Sequence, residues 1–241
     1  SMSEMNKYRG LGSILTEQGY TTSFHHGGTT GTMGFDAFAR VAGLMRYYGK
    51  EDFPNFSERV YDGAWGICDE PYFLEVASRL DTFPQPFCSV IFSLSSHDPY
   101  TIPEHRKKIF ENYSAETDVD RAVRYSDFSL GEFFRYAQRQ PWYENTIFLI
   151  TADHTEFSTR NSVYNAFHIP FLIHAPKYLP PRRIERTGAH VYILPTLIDL
   201  LRIPTTYAAM GRSLMDSTAE KMAVVKFGPH FGIFTDSFLL R

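Results

Sequence analysis

Phe87-Cys88-Ser89-Val90-Ile91-Phe92-Ser93-Leu94 decides the fold class. The run is nearly all apolar and has the length of one strand. A strand with one face in water alternates apolar and polar residues, so an unbroken run predicts a strand covered on both faces, as in a parallel sheet. Working outward, Asn145-Thr146-Ile147-Phe148-Leu149-Ile150 and Pro170-Phe171-Leu172-Ile173-His174 read the same way, and Tyr20 to His25 reads as a short strand. Between the two long runs, Val119, Ala122, Val123, Leu130, Phe133, Phe134 and Ala137 recur at helical spacing, predicting a helix over 118–139 that Pro141 stops. Further helices are predicted over 11–15 with a glycine stop at Gly19, over 35–44, over 70–80, and over 191–201 with Pro195 in its first turns. Residues 221–241 hold two β-like runs around Gly228-Pro229 and Gly232, a terminal hairpin or pair of edge strands. Strands alternating with helices give an α/β domain, a largely parallel sheet sandwiched by helices, with residues 1–241 as one domain.

The composition narrows the partners. Net charge is −3, and the densest basic run is Arg106-Lys107-Lys108, a solvated helix face, which argues against nucleic acid. The two cysteines, Cys68 and Cys88, form no CxxC pair, which excludes a zinc finger. No stretch reaches the roughly 20 apolar residues of a membrane helix, and Ser1-Met2-Ser3-Glu4-Met5 carries no leader pattern, so the chain reads as a soluble piece.

In parallel sheets ligands gather beyond the carboxyl ends of the strands. Three such ends are rich in histidine: His25-His26-Gly27-Gly28-Thr29-Thr30-Gly31-Thr32, then Ser95-Ser96-His97-Asp98-Pro99, then Thr151-Ala152-Asp153-His154-Thr155-Glu156. A carboxylate and an imidazole adjacent on a turn can share one Zn²⁺ or Mn²⁺, so Asp153 and His154 are candidate metal ligands; a capping Asp beside a surface His is the plainer reading of that dipeptide alone. His97 is a candidate donor to an anionic oxygen or leaving group, or simply a turn residue before Pro99. The glycine-rich segment 27–34 can bring backbone N–H groups to a phosphate but matches no nucleotide fingerprint, and ordinary loop glycines explain it as well. Of His25 and His26, which alternate across the pleat, at most one faces the site.

These motifs, read together, resemble the extracytoplasmic catalytic domain of lipoteichoic acid synthase-like members of the alkaline phosphatase and sulfatase superfamily. The resemblance rests on Phe24-His25-His26-Gly27-Gly28 leading to Gly31-Thr32-Met33-Gly34-Phe35-Asp36, on Asp62-Gly63-Ala64-Trp65-Gly66-Ile67, and on Leu94-Ser95-Ser96-His97-Asp98-Pro99. It is carried most specifically by Pro141-Trp142-Tyr143-Glu144-Asn145-Thr146 leading to Asp153-His154, and continues through Val191 to Leu197 and Gly211-Arg212-Ser213-Leu214.

The resemblance implies that Asp153 and His154 are metal ligands, that His97 contacts the phosphate or leaving group, and that His26 lines the substrate pocket. It implies a divalent metal, Mn or Zn with Mg or Ca as further possibilities, that activates a Thr or Ser nucleophile against a phosphodiester. The substrate class so implied is a phosphodiester- or sulfate-ester-bearing envelope lipid or glycan. The implied location is the extracytoplasmic face of a bacterial membrane, with the full-length protein anchored there. The family's nucleophile and an earlier acidic ligand fall upstream of Arg9, so the N-terminal part of the domain is expected to be missing, metal binding weak or absent, and this chain inactive alone. An exposed apolar face, or pairing with another chain, is expected where that part would pack.

The resemblance further implies an Arg and a Trp in glycerol-phosphate transferases where this chain has Phe35 and Met33, and an Asp in many relatives where it has Tyr192. Two other readings stay open: a sulfatase acting on sulfate esters, and a non-catalytic domain that binds glycan or a partner. His26, His97, Asp153 and His154 are expected to gather at one edge of the sheet.

Overall fold

In the computed structural model, which describes residues 9–54, 57, 60–111, 117–156, 162–218, 222–236 and 239–240, the chain divides into two units, Ser1–Tyr143 and Glu144–Arg241. The first opens with helix α1 (Leu11–Glu17), which buries Ile14 and Leu15 and ends on Gly19 at φ +83°, a left-handed position that suits glycine. Strand β1 (Thr21–His26) follows. It pairs in parallel with β2 (Arg46–Tyr48) on one side and β3 (Phe87–Phe92) on the other, in the order β2-β1-β3.

One face of this sheet carries Phe24, which packs with Leu44 and with Ala39 of helix α2 (Phe35–Val41), joined by Phe35, Tyr47, Val90 and Phe92. On the other face His25 stacks on Tyr48, their ring centres 4.9 Å apart, and on Phe83. Helix α3 (Asp69–Leu80) packs against the long helix α5 (Asp118–Ala137), with α4 (Glu104–Glu111) against α5. The start of α5 is fixed by a capping box, in which Thr117 and Asp120 exchange hydrogen bonds, and the amphipathic spacing read from sequence gives its buried face, Ala122, Tyr125, Phe133 and Ala137.

The burial of the sheet inverts the expectation from apolarity. Strand β3, the most apolar run, lies at the sheet's edge with all six residues half-buried, whereas β1 is the buried centre despite reading Thr-Thr-Ser-Phe-His-His. Most polar groups of β1 tolerate this because they bond to one another and to neighbours; His25 Nδ1 is buried without a partner among the described residues. The Thr22 hydroxyl lies 3.0 Å from that of Thr16 and accepts from the Met45 N–H; the Ser23 hydroxyl lies 2.8 Å from Ser89 Oγ and 2.9 Å from His25 Nε2.

His25 is fully buried, and burial, helped by the nearby Arg79 cation, lowers its pKa to about 3. A base whose pKa is lower folded than unfolded adds stability that is complete above its unfolded value and is lost as pH falls through the folded one. The expected result is a loss of about 1.4 kcal/mol per pH unit below about pH 6.5 from this group alone. Thermal melts of wild type and His25→Gln across pH 7 to 4 check it: the variant should show a shallower acid slope, whatever its baseline stability.

In the second unit, β4 (Phe148–Thr151) pairs antiparallel with β5 (Phe171–His174), and β4 is half-buried along its length. The strand predicted over 145–150 therefore starts later, after a 3-10 turn at Tyr143–Asn145 that takes up its polar first residues, and it lies in an antiparallel pair rather than a doubly covered parallel sheet. Helix α6 (Ile193–Leu200) carries Pro195 within its first turn, where a missing N–H costs little. The C-terminal hairpin forms as predicted: β6 (Met222–Phe227) turns through Gly228-Pro229 into β7 (His230–Thr235), with β8 (Leu239–Leu240) beside it. Among the described residues no helix is long and apolar enough to cross a membrane, and Cys68 and Cys88 are not disulfide-bonded.

Candidate functional site

The first unit brings His26 and His97 to the carboxyl end of its parallel sheet. His26 ends β1 in register with Phe92, the last residue of β3, and His97 lies five residues further along. His26 is 1% exposed, with its ring edge-on to Phe35 at 5.0 Å and to Phe92 at 5.7 Å, and its Nδ1 lies 3.2 Å from the Tyr47 hydroxyl. Burial lowers its pKa against the opposing pull of Glu51, which favours the neutral ring. The turn that follows must stay bare: a Cβ on Gly28 would come within 2.7 Å of His26 Cε1, and one on Gly66 within 2.3 Å of the Gly27 carbonyl.

Trp65 links the two histidines. Its backbone carbonyl lies 2.9 Å from where a Gly28 Cβ would stand, and its ring meets His97 edge-on at 4.5 Å. Asp62 positions it, its Oδ1 accepting hydrogen bonds from the N–H groups of Ala64, Trp65 and Gly66. The Trp65 indole and His97 Nδ1 both reach the Asp98 carbonyl, at 2.7 and 2.9 Å. A carbonyl only accepts, so His97 carries its proton on Nδ1 and turns a bare Nε2 outward in the neutral ring. Neither Trp65 nor Asp62 follows a strand-like run, so the sequence signal for them is the turn pattern Asp62-Gly63-Ala64-Trp65-Gly66 alone.

The loop bearing His97 is tied at both ends to the start of α3. The buried Asp69 carboxylate accepts from Leu94 N and Ser95 N at 3.0 and 2.9 Å and from the Ser126 hydroxyl at 2.7 Å, while the Ser95 hydroxyl accepts from Asp69 N. Burial raises the Asp69 pKa, and the bonds from Ser95, Ser126 and Leu94 oppose that rise. Its neighbour Glu70 holds Arg106 of α4 through both carboxylate oxygens, with His105 3.6 Å away. Arg106 is thus bound to a carboxylate rather than merely solvated.

The glycine-rich segment does not present a row of N–H groups. The Thr30 N–H and hydroxyl both go to the Glu51 carboxylate, the Thr32 N–H to the Thr29 carbonyl, and the Gly34 N–H to the Gly31 carbonyl. Phe35, at the position where the resemblance implies an arginine in glycerol-phosphate transferases, packs against His26, Phe24 and Phe92.

The second unit holds Asp153 and His154 just beyond β4. Asp153 Oδ1 accepts from the His154 N–H at 2.9 Å, and its Oδ2 lies 3.6 Å from His154 Nε2; both side chains are more than half exposed. His154 Nδ1 lies 2.9 Å from the Thr155 carbonyl, which fixes the proton there and leaves the Nε2 lone pair directed outward. This is how protein-held zinc ligands are commonly oriented. Two ligands of one tetrahedral ion, with bonds of about 2.0–2.2 Å, stand roughly 3.4 Å apart, so the spacing of Asp153 Oδ2 and His154 Nε2 fits a shared divalent metal. Among the described residues no group of three or more His, Cys, Asp or Glu converges on one point.

His190, which has no supporting sequence context, donates from Nε2 to the Ala152 carbonyl at 2.8 Å and so braces the turn that carries Asp153. Tyr192, at a position where the resemblance implies an Asp in many relatives, is buried with its hydroxyl bonded to both the carbonyl and the N–H of Met222, the first residue of β6. That position serves the fold here and brings no carboxylate.

Comparison with known proteins places this arrangement. The Sulfatase family model matches residues 2–203, running through both units. A lipoteichoic acid synthase-like protein of Bacillus subtilis (strain 168) is 26% identical over 89% of this chain and 38% of its own length, and lipoteichoic acid synthase 1 of the same organism is 26% identical over 92% and 38%. The chain thus spans well under half the length of these curated relatives. Among solved structures, a protein in the alkaline phosphatase superfamily from Vibrio parahaemolyticus is 30% identical with a TM-score of 0.82, covering 98% of this chain and 59% of that one. The lipoteichoic acid synthase LtaP from Listeria monocytogenes, at 22% identity, shares the fold with a TM-score of 0.81 over 95% of this chain and 61% of its own.

Proposed function

The chain belongs to the sulfatase family, and on that premise we propose that it is part of a metal-dependent phosphotransferase or phosphodiesterase resembling lipoteichoic acid synthase, acting on an envelope phosphodiester at the extracytoplasmic face of a bacterial membrane. The observation that carries the reading is the convergence of Asp153 Oδ2 and His154 Nε2 at 3.6 Å, with the imidazole proton tied away to a carbonyl. We take residues 1–241 as one catalytic domain, a reading supported over residues 2–203 by the family model that runs through both units.

In this reading Asp153 and His154 would hold a divalent ion, Mn or Zn, which when bound would supply activation of the nucleophile and charge compensation at the phosphoryl oxygens. The nucleophile itself is a Thr or Ser that the resemblance assigns outside this chain, so turnover is proposed for the full-length protein and not for these residues alone. His26, neutral and buried, gives a hydrogen bond to one non-bridging oxygen. His97 meets the leaving or attacking oxygen, accepting a proton on Nε2 or returning it once protonated. The aromatic wall of Phe35 and Phe92 beside His26 excludes water from that donor.

The test is hydrolysis of a phosphodiester and of a sulfate ester by the full-length protein, with Mn²⁺ and with EDTA. Metal-dependent turnover of the phosphodiester is expected. Preference for the sulfate ester would make the protein a sulfatase, and turnover of neither would leave a binding domain. His97→Ala is expected to lower phosphodiester turnover by roughly 10²–10³-fold, the usual effect of removing one donor to a transition-state oxygen.

A further inference from the structure

Resting on that reading, we propose that Tyr47 and Gly28 are positioning residues that hold His26 in a single tautomer, with its proton on Nε2, as a fixed donor to one oxygen of a tetrahedral oxyanion ester. The phenol of Tyr47 meets His26 Nδ1 at 3.2 Å, and this is the hydrogen bond the structure gives to each of those two atoms. A phenol and an imidazole nitrogen can share a proton two ways. If Nδ1–H donated, the phenolic hydrogen would need another acceptor; if the phenol donates, both groups are satisfied and the imidazole proton must sit on Nε2.

The phenol keeps its hydrogen, because burial, aided by the carboxylates of Asp36, Glu51 and Asp52, pushes the Tyr47 pKa up to about 12. Phe35 and Phe92 pack at 5.0 and 5.7 Å from the ring and fix its plane, so the Tyr47 contact decides which nitrogen carries the proton. Gly28 packs its bare backbone against the ring. A side chain there would press on Cε1 at 2.7 Å and on the Trp65 carbonyl at 2.9 Å, so only glycine lets the turn close over the ring without displacing it.

The two histidines of this unit are therefore set oppositely. His97 has Nδ1–H committed to the Asp98 carbonyl and a bare Nε2, whereas His26 has a bare Nδ1 committed to Tyr47 and a protonated Nε2. One is a donor without needing a second proton; the other takes a proton up.

Nitrogen-detected NMR of the ¹⁵N-histidine-labelled 241-residue chain reads these tautomers directly. Wild type is expected to show His26 as Nε2–H and His97 as Nδ1–H. Tyr47→Phe keeps the stack of residue 47 on Phe24, at 5.7 Å and nearly parallel, so the fold should survive, which a thermal melt verifies. In that variant His26 should become a tautomer mixture while His97 is unchanged. Inorganic sulfate, a non-hydrolysable stand-in for the oxyanion, should shift the His26 Nε2–H resonance, and Tyr47→Phe should weaken that binding about fivefold, the typical worth of one hydrogen bond. Gly28→Ala should remove the sulfate shift without changing the tautomer. An Nδ1–H signal at His26 in wild type, or an unaltered tautomer in Tyr47→Phe, would overturn the role of Tyr47. A His26 resonance indifferent to sulfate would overturn the donor role. Failure of the full-length protein to turn over any ester would instead defeat the proposed function and leave the tautomer result standing.

Discussion

Asp153→Ala and His154→Ala are each expected to lower metal-dependent turnover by the full-length protein more than a hundredfold. Residues that merely orient metal ligands typically cost about 10–100-fold when removed, so losing a ligand itself should exceed that range. Stability should hardly move, because both side chains are 59% exposed and bond mainly to each other and to Thr155. The measurement pairs kcat/KM in Mn²⁺ with bound-metal content and a thermal melt. Retained metal with retained turnover in either variant would remove that residue from the ion; a collapsed melt would show that it serves the fold.

The second large effect belongs to a residue that anchors the loop bearing His97. Asp69→Ala should destabilise the chain by about 4 kcal/mol, because it strands the buried Leu94 and Ser95 N–H groups and removes the partner of the half-buried Ser126 hydroxyl. For a chain of this size that corresponds to a melting point lower by roughly 8–16 °C. Asp69→Asn keeps one carbonyl for the two N–H groups and should lose less than half as much. A melt of Asp69→Ala within a degree or two of wild type would mean that the carboxylate is not what holds this loop.

The sequence made some of this visible and hid the rest for identifiable reasons. Helix α5 was legible because its apolar spacing and Pro141 stop agree over five turns. The terminal hairpin was legible from Gly228-Pro229. Strand burial was not. Apolarity reports what a strand would prefer to touch, whereas β3 lies at an edge and the polar β1 is the buried centre, its Thr22 and Ser23 hydroxyls and His25 Nε2 hydrogen-bonded although His25 Nδ1 has no partner among the described residues. In the candidate site, the histidines and the Asp153-His154 pair announced themselves by standing after strand-like runs. Their supports did not. Asp69, Tyr47 and His190 act through contacts spanning 25, 21 and 38 residues, and no local pattern encodes such a contact.

The two ties at α3 have a further consequence for how this protein can change over evolutionary time. The stretch from Ser95 to Arg106 is anchored at each end to adjacent residues, Asp69 and Glu70, so its ends are fixed relative to one helix start. Closing a longer loop between fixed ends costs only about 0.6 kcal/mol for each doubling of its length. Residues inserted or deleted between Asp98 and Pro103 would therefore leave both anchors and the register of His97 intact. Length variation there offers descendants of this chain a way to reshape what lies beside His97 without rebuilding the sheet that presents it.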